Sequence, residues 1–234
     1  MSDAKSNSNS FTGFHIRTGD MSEYDKARSD FADEVRAVIG ELLSTSASIA
    51  DVRAAHQFVT NAVALLGQRE HDENFAGPSE AALATIGSFL DRSPLIGAIN
   101  PLAVPMRVFS ELDESGKMIA IGRVSFGAAY EGPPGCVHGG FIAAAFDEVL
   151  GVAQSLSGNP GMTVNLSIDY RSPTPLDQPL VFRGRIKQID GRKISTTGTL
   201  HHGDTLCAEG SGLFISMRPD VFERLLKIRQ SGRH

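Results

Sequence analysis

A carboxylic acid stands in the middle of an apolar stretch of the sequence, where it needs a partner or a task. Asp147 lies within GGFIAAAFDEVLGVAQSL, and the spacing of this stretch predicts a helix that is apolar on nearly every side and therefore buried. Its neighbour Glu148 projects about 100° away around the helix axis, so the two carboxylates face different surroundings. The residues alone leave two interpretations of Asp147 open: a locally paired or solvent-facing carboxylate, and a catalytic one.

A glycine-rich loop, EGPPGCVHGG, leads directly into this helix. The first N–H groups of a helix have no partner within it, and glycine lets a substrate carbonyl approach the backbone closely. Gly139 and Gly140, next to His138, therefore suit an oxyanion site. Gly140 and Asp147 are seven positions apart and share a helix face, so we expect one carbonyl to lie within reach of both. A plain turn would also explain the glycines.

Other chemistry has weaker support in the sequence. Cys136 lies two residues before His138, but no third group that would orient a Cys-His pair is evident. The histidines, including the adjacent pair His201 and His202, show no metal-ligand spacing, so we expect no metal site. No phosphate-binding loop, dinucleotide fingerprint or G-x-S-x-G nucleophile motif occurs.

The segments before the loop are helical in pattern. Residues 1–20 are polar and predict a disordered tail, and residues 21–92 predict a helical extension. Within it, apolar residues recur every three or four positions from about Ser22 to Leu43 and again from Ser48 to Leu66, which predicts a helical hairpin packed on a body or a partner chain. A lid over a substrate tunnel is the alternative. The stretch HDENFAGPSE predicts a loop near the domain boundary.

Residues 93–218 predict an α+β domain. Two strands joined by DESG precede the apolar helix, and four strands with short connections follow it, which favours antiparallel pairing. One all-round apolar helix among about six strands predicts a sheet curled around that helix. Residues 219–234 predict a C-terminal helix or tail.

Composition excludes several classes of function. The formal net charge of −5 and the lack of a long basic run argue against nucleic-acid binding. The polar N-terminus has no apolar signal region, and no stretch is long and apolar enough to span a membrane. Two cysteines make no disulfide framework, so we expect a cytoplasmic protein.

Two segments carry a resemblance to a known family. VHGGFIAAAFDEVLG resembles the helix motif of hotdog-fold acyl-CoA thioesterases of the phenylacetate-type (PaaI-like) and THEM-type subgroup, in which His-Gly-Gly is followed by an Asp nine residues after the His. TVNLSIDYRSPTPL resembles the strand that follows there. Thr163, sixteen residues after Asp147, occupies the place of a Thr that in THEM-type members faces the Asp across a dimer interface. The resemblance covers residues 102–217 and implies a hotdog fold, an antiparallel sheet wrapped around a central helix.

The resemblance also implies roles for individual residues. Asp147 would be the general base or the nucleophile, and the N–H of Gly140, alone or together with that of Gly139, would polarise the thioester carbonyl. His138 would position the thioester or support the loop, and Thr163 would orient the attacking water from the neighbouring subunit. Asn165 and Tyr170 would surround the site or serve the fold, and Arg171 would be the best-placed residue for the coenzyme A phosphates. Weaker phosphate candidates are Arg183, Arg185 and Lys187, for which a solvated strand face is the alternative. The acyl pocket could be lined by Phe141, Phe146 and Leu150, for which core packing is the alternative.

The implied protein is an acyl-CoA thioesterase that forms a homodimer or a dimer of dimers. It needs no cofactor or metal, because the coenzyme A belongs to the substrate and a thioester is cleaved by a base, an oxyanion site and a dry pocket. A non-catalytic acyl-CoA-binding hotdog is the main alternative, although such a protein should lack the helix carboxylate. A hotdog dehydratase would carry an Asp-x-Asn-Pro-x-His signature, which is absent. An oligomeric scaffold with a vestigial site also stays open.

Overall fold

The computed structural model describes residues 21–68, 91–104, 106–159 and 161–216. The predicted N-terminal tail, the loop HDENFAGPSE and the C-terminal segment 219–234 lie outside these residues. The domain limits at residues 92 and 218 therefore stay predictions.

Two helices open the described chain, α1 (Glu23–Ser44) and α2 (Ile49–Gly67). Each begins at a serine whose hydroxyl accepts a hydrogen bond from a first-turn backbone N–H, Ser22 for α1 and Ser48 for α2, as N-caps do. Both predicted helices are confirmed within one or two residues.

These helices bury little of their apolar faces among the described residues, and packing on a partner chain stays a prediction. α1 buries only Ala32, and its stripe residues Phe31 and Val38 are exposed. α2 buries none of its residues. The 3.6-residue periodicity that predicted a packed hairpin is present, but the described residues leave most of the apolar faces uncovered.

Six antiparallel strands form one sheet, as predicted. In chain order they are β1 (Arg107–Leu112), β2 (Met118–Val124), β3 (Gly161–Tyr170), β4 (Leu180–Asp190), β5 (Lys193–His202) and β6 (Thr205–Ser216). The order across the sheet is β1-β2-β4-β5-β6-β3. β3 follows the long helix in sequence and pairs with β6, so it lies at an edge, where its outer backbone groups have no strand partner among the described residues.

The predicted apolar helix is α3 (Gly139–Ser155), and it packs across the inner face of the sheet. Its side chains Phe146, Val149 and Leu150 are fully buried. The strands opposite carry glycines where α3 comes closest: a Cβ at Gly184 would lie 3.1 Å from Val149 Cγ1, and one at Gly210 would lie 2.6 Å from Phe146 Cδ1. Glycine in these strands therefore allows the sheet to curl closely around the helix.

Candidate active site

Asp147 and Thr163 meet where α3 faces the edge strand. The Thr163 hydroxyl donates a hydrogen bond to Asp147 Oδ1 at 2.8 Å. Asp147 is half-buried, and its other oxygen, Oδ2, has no hydrogen-bond partner among the described residues. The pair thus fixes the carboxylate in one orientation and leaves one oxygen able to accept a proton or attack a carbon.

A β-bulge in β3 aims Thr163 at α3. Thr163 pairs with Phe214 and Asn165 pairs with Leu213, so Val164 is an extra residue between them. Phe214 is a buried core residue, which places Thr163 on the inner face of the sheet with α3. Bulges near functional sites often redirect a side chain in this way.

This contact corrects one implication of the resemblance. Thr163 was expected to reach Asp147 from a neighbouring subunit, whereas the two residues touch within a single chain. The reason is the course of β3, which returns along α3 directly after the helix ends.

The start of α3 is built by His138, Gly139 and Gly140. His138 is the N-cap, and its Nδ1 accepts a hydrogen bond from the Gly140 N–H at 3.0 Å. The Gly140 N–H, expected to polarise the substrate carbonyl, is therefore already used. The Gly139 N–H has no partner among the described residues, so it is the better oxyanion donor of the two.

Tyr170 supports this helix start from the far end of β3. Its hydroxyl donates to the Gly139 carbonyl oxygen at 2.7 Å. A Cβ added at Gly139 would lie 3.0 Å from that hydroxyl, and one at Gly140 would lie 3.1 Å from His138 Nδ1. Both positions are thus crowded by side chains that define the site, which favours glycine at each.

The two working ends of α3 are far apart within one chain. Gly139 and Asp147 are eight residues apart, which corresponds to about 12 Å along a helix axis. The expectation that a single carbonyl lies within reach of both groups of the same helix is therefore wrong. Gly140 and Asp147 share a face, but the rise of the helix over seven residues separates them by about 10 Å.

Three other expected site residues occupy different positions. Asn165 pairs with Leu213 beyond the bulge, so it lies on the sheet face opposite Thr163. Phe146 is fully buried in edge-to-face contact with Phe182 and is a core residue rather than a substrate contact. Phe141 is half-buried near the helix start, where its ring packs edge-on against Tyr130 at 4.9 Å.

The expected phosphate-binding residues lie on the outer face of the sheet. Gly184 faces α3, so Arg183 and Arg185 project the other way. They line an open groove of about 880 Å³ together with Arg171. Arg171 is already paired, with Glu209 at 2.8 Å and Asp169 at 3.7 Å. Arg183 and Arg185 therefore face away from α3.

Sequence reasoning missed the role of Glu148. Its Oε1 accepts a hydrogen bond from the hydroxyl of Ser93 at 3.2 Å, in the segment that precedes β1. Burial raises the pKa of Glu148, the Ser93 hydrogen bond opposes this, and the nearby charge of Asp147 raises it further. The sequence indicated this only through the adjacent carboxylates Asp147 and Glu148, since neighbouring side chains in a helix point in different directions.

Ser93 also joins Glu148 to the N-terminal helices. Its hydroxyl accepts hydrogen bonds from the N–H groups of Leu95 and Ile96, which fixes the turn that covers α3. Arg36 of α1 donates to the carbonyl oxygen of Asn100 at 2.8 Å in the same segment. α1 is thus attached to the segment that lies over α3.

The described residues also bear on metal binding and on membrane insertion. No group of three or more His, Cys, Asp or Glu residues is arranged to hold a metal ion in the described part of the chain. None of the helices described is both long and apolar enough to cross a membrane.

Comparison with known proteins identifies the family. Residues 134–209, which hold the helix start, Asp147 and Thr163, match the model of the thioesterase superfamily. The crystal structure of the thioesterase superfamily protein RHA08564 is 34% identical, and the match covers 80% of this chain and 94% of that one with a TM-score of 0.67. The chain belongs to the thioesterase superfamily. The expected hotdog fold is confirmed. The match to RHA08564 covers 80% of this chain, which is more than residues 93–218 alone. It therefore extends into the segments that flank them.

Curated members of the superfamily agree with the THEM-type resemblance. The acyl-coenzyme A thioesterase THEM4 of Xenopus laevis is 36% identical over 95 residues, which are 40% of this chain and 43% of that protein. THEM4 of Rattus norvegicus is 38% identical over 96 residues, 40% of this chain and 41% of that protein. The match thus spans less than half the length of either relative.

Proposed function

We propose that the protein hydrolyses acyl-CoA thioesters. The observation that carries this proposal is the half-buried Asp147 carboxylate, held at one oxygen by Thr163 at 2.8 Å and free at the other. Membership of the thioesterase superfamily and the names of the THEM4 relatives support a thioester substrate. Coenzyme A enters as part of the substrate, and the reaction needs no further cofactor.

The proposed reaction uses groups present at the site. The free oxygen of Asp147 takes a proton from a water, whose oxygen attacks the thioester carbon, and the Gly139 N–H stabilises the oxyanion that forms. Collapse of this intermediate breaks the C–S bond and expels the CoA thiolate, which takes up a proton to leave CoA and the free acid. Direct attack by Asp147 to form an anhydride, later hydrolysed by water, uses the same oxygen.

A complete site requires two copies of the chain under this proposal. The oxyanion donor and the carboxylate of one chain are about 12 Å apart along α3, so the Gly139 of one copy would act with the Asp147 of another. The exposed edge of β3, with Met162 and Val164 uncovered, supports pairing between copies at this strand. The assembly would be a homodimer or a dimer of dimers.

We also propose which residues bind the substrate phosphates and in which compartment the protein works. Arg183 and Arg185 form no ion pair with described residues, so they are better candidates for phosphate contacts than Arg171. Cys136 and Cys207 are both free thiols, which supports a reducing compartment such as the cytoplasm.

Thiol release from a panel of acyl-CoAs tests the activity. The wild-type protein should release free thiol from at least one member of the panel, and Asp147→Asn should lower kcat by about 10²- to 10⁴-fold, the usual contribution of a general base. Absence of release from every acyl-CoA, with binding detected by calorimetry, would favour the non-catalytic alternative. Equal rates for Asp147→Asn and wild type would remove Asp147 from the mechanism.

A pair of variants tests the oxyanion donor. Proline is tolerated at the first position of a helix, where Gly139 lies, and His138 has the extended conformation (ψ 130°) that a following proline requires. Gly139→Pro therefore removes the N–H while keeping the helix. Gly139→Ala adds a Cβ against Tyr170 but keeps the N–H, so it is the matched control. We expect Gly139→Pro to have a kcat about 10²- to 10³-fold below that of Gly139→Ala. Similar rates would exclude this donor.

A further inference from the structure

One hydrogen-bonded path runs from Tyr170 through the start of α3 to His138. The Tyr170 hydroxyl donates to the Gly139 carbonyl oxygen at 2.7 Å, and the Gly140 N–H donates to His138 Nδ1 at 3.0 Å. That carbonyl and that N–H belong to the same peptide group. Donation into the oxygen of a peptide polarises its N–H, so the two hydrogen bonds strengthen each other.

The path determines which nitrogen of His138 carries the proton. A neutral imidazole has one donor and one acceptor nitrogen, and Nδ1 is the acceptor here. The proton is therefore on Nε2. This N–H has no partner among the described residues, and His138 is exposed. The Gly139 N–H has no partner among the described residues either.

Packing holds the His138 ring in this orientation. The ring lies edge-on to Phe141 at 6.2 Å, and the His138 backbone N–H donates to the carbonyl oxygen of Tyr130 at 2.8 Å. A Cβ at either glycine would press on these contacts, since it would lie 3.0 Å from the Tyr170 hydroxyl at Gly139 and 3.1 Å from His138 Nδ1 at Gly140. The residues at the helix start thus support one arrangement of donors rather than a flexible loop.

We infer that Tyr170 is a positioning residue that acts through the Gly139–Gly140 peptide to fix His138 as an Nε2–H donor to the thioester oxygen. This inference rests on the proposed hydrolysis. It gives the oxyanion two donors, the Gly139 N–H and the His138 imidazole, and explains why a tyrosine half-exposed at the end of β3 contacts a backbone oxygen.

The test combines a tautomer measurement with kinetics. In ¹⁵N-histidine-labelled protein without substrate, NMR should report His138 as the neutral tautomer protonated at Nε2, with the signal assigned by its loss in His138→Asn. Tyr170→Phe keeps the ring but removes the donor, so it should add a population protonated at Nδ1 and speed hydrogen exchange at the Gly140 amide. It should also lower kcat about fivefold with little change in KM, as expected for the loss of one hydrogen bond.

The control is Tyr130→Phe, which removes a neighbouring phenol that is outside the path, and it should leave tautomer and kcat unchanged. An unaltered His138 tautomer in Tyr170→Phe would overturn the relay, and an altered tautomer with wild-type kcat would overturn the role of His138 as donor. The NMR arm does not depend on activity. An inactive wild type would therefore count against the proposed hydrolysis, while the spectra still decide whether the relay exists.

Discussion

Two adjacent carboxylates of α3 have different environments, and this difference assigns them different tasks. Asp147 faces β3, where Thr163 orients it and leaves one oxygen free. Glu148 projects about 100° away and is buried beneath the segment that contains Ser93. The pKa of Glu148 is raised, chiefly by burial. Asp147 is thus placed for chemistry, and Glu148 for attachment of the N-terminal segment.

The raised pKa of Glu148 predicts a specific dependence of stability on pH. A folded-state pKa above the unfolded value of about 4.5 means that the folded protein binds the proton more tightly. Glu148 therefore favours the folded state fully below the unfolded pKa, and this contribution is lost as pH rises through the folded pKa. Glu148→Gln keeps an acceptor for Ser93 without the charge. In thermal melts from pH 4 to 8, the melting temperature of Glu148→Gln relative to wild type should rise with pH.

The matched control for this prediction is Glu41→Gln, because Glu41 is exposed on α1. Its melting temperature should follow that of wild type across the same range. The groups that face Glu148 are the Ser93 hydroxyl and the Asp147 carboxylate, so the measurement should be repeated in an Asp147→Asn background. A constant offset between Glu148→Gln and wild type at every pH would contradict the titration of a buried Glu148.

At the scale of single elements, the bulge in β3 decides which residue faces the Asp147 carboxylate. A regular strand would place Val164 on the inner face together with Leu166, because side chains alternate. The extra residue instead puts Thr163 opposite the buried Phe214 and leaves Val164 exposed. The alternation of side chains along the sequence would therefore predict Val164, and not Thr163, as the neighbour of Asp147.

Exchanging the two bulge residues tests this arrangement. Thr163→Val should lower kcat by about tenfold or more, since it removes a hydrogen bond to a charged acceptor. Val164→Thr alone should have little effect. The double exchange Thr163→Val/Val164→Thr should be as slow as Thr163→Val, because a threonine at the exposed bulge position does not face α3. Recovery of the wild-type rate in the double exchange would mean that β3 is regular in solution.

For the molecule as a whole, the architecture was predictable from the sequence, but the arrangement of atoms in the candidate site was not. Periodicity and turn signals predicted α1, α2, α3 and all six strands in the right order, since each depends on local pattern. The free donor at Gly139, the intrachain Thr163 contact and the burial of Phe146 depend on N-cap geometry, a bulge and tertiary packing. None of these leaves a periodic signal in the chain.

The N-terminal helices mark another limit of local reasoning. Their apolar stripes predicted a packed hairpin, yet α2 buries none of its residues in one chain. Amphipathic periodicity indicates that a face needs cover, but it does not identify the covering surface. α1 is attached to the body by the Arg36 hydrogen bond to Asn100 and by the burial of Ala32.

Sharing of the site between two chains makes a prediction that only mixed assemblies test. If the Gly139 of one copy acts with the Asp147 of the other, a heterodimer of Gly139→Pro and Asp147→Ala contains one doubly defective site and one intact site. Neither parent should be active alone. After subunit exchange, half of the dimers are mixed and each has one working site of two, so about a quarter of the wild-type rate should return.

A second mixture separates this arrangement from one in which Thr163 acts across the interface. Asp147 and Thr163 lie in contact within one chain. A heterodimer of Asp147→Ala and Thr163→Val therefore has a defect in each of its two sites. Its rate should not exceed that of Thr163→Val diluted by the same amount of inactive protein. Rescue in this second mixture would place Thr163 opposite the Asp147 of the partner. Failure of the first mixture, with exchange verified by mass spectrometry of the intact dimers, would confine Gly139 and Asp147 to one chain. The thioester would then have to span about 12 Å of a single helix, which its carbonyl group cannot do.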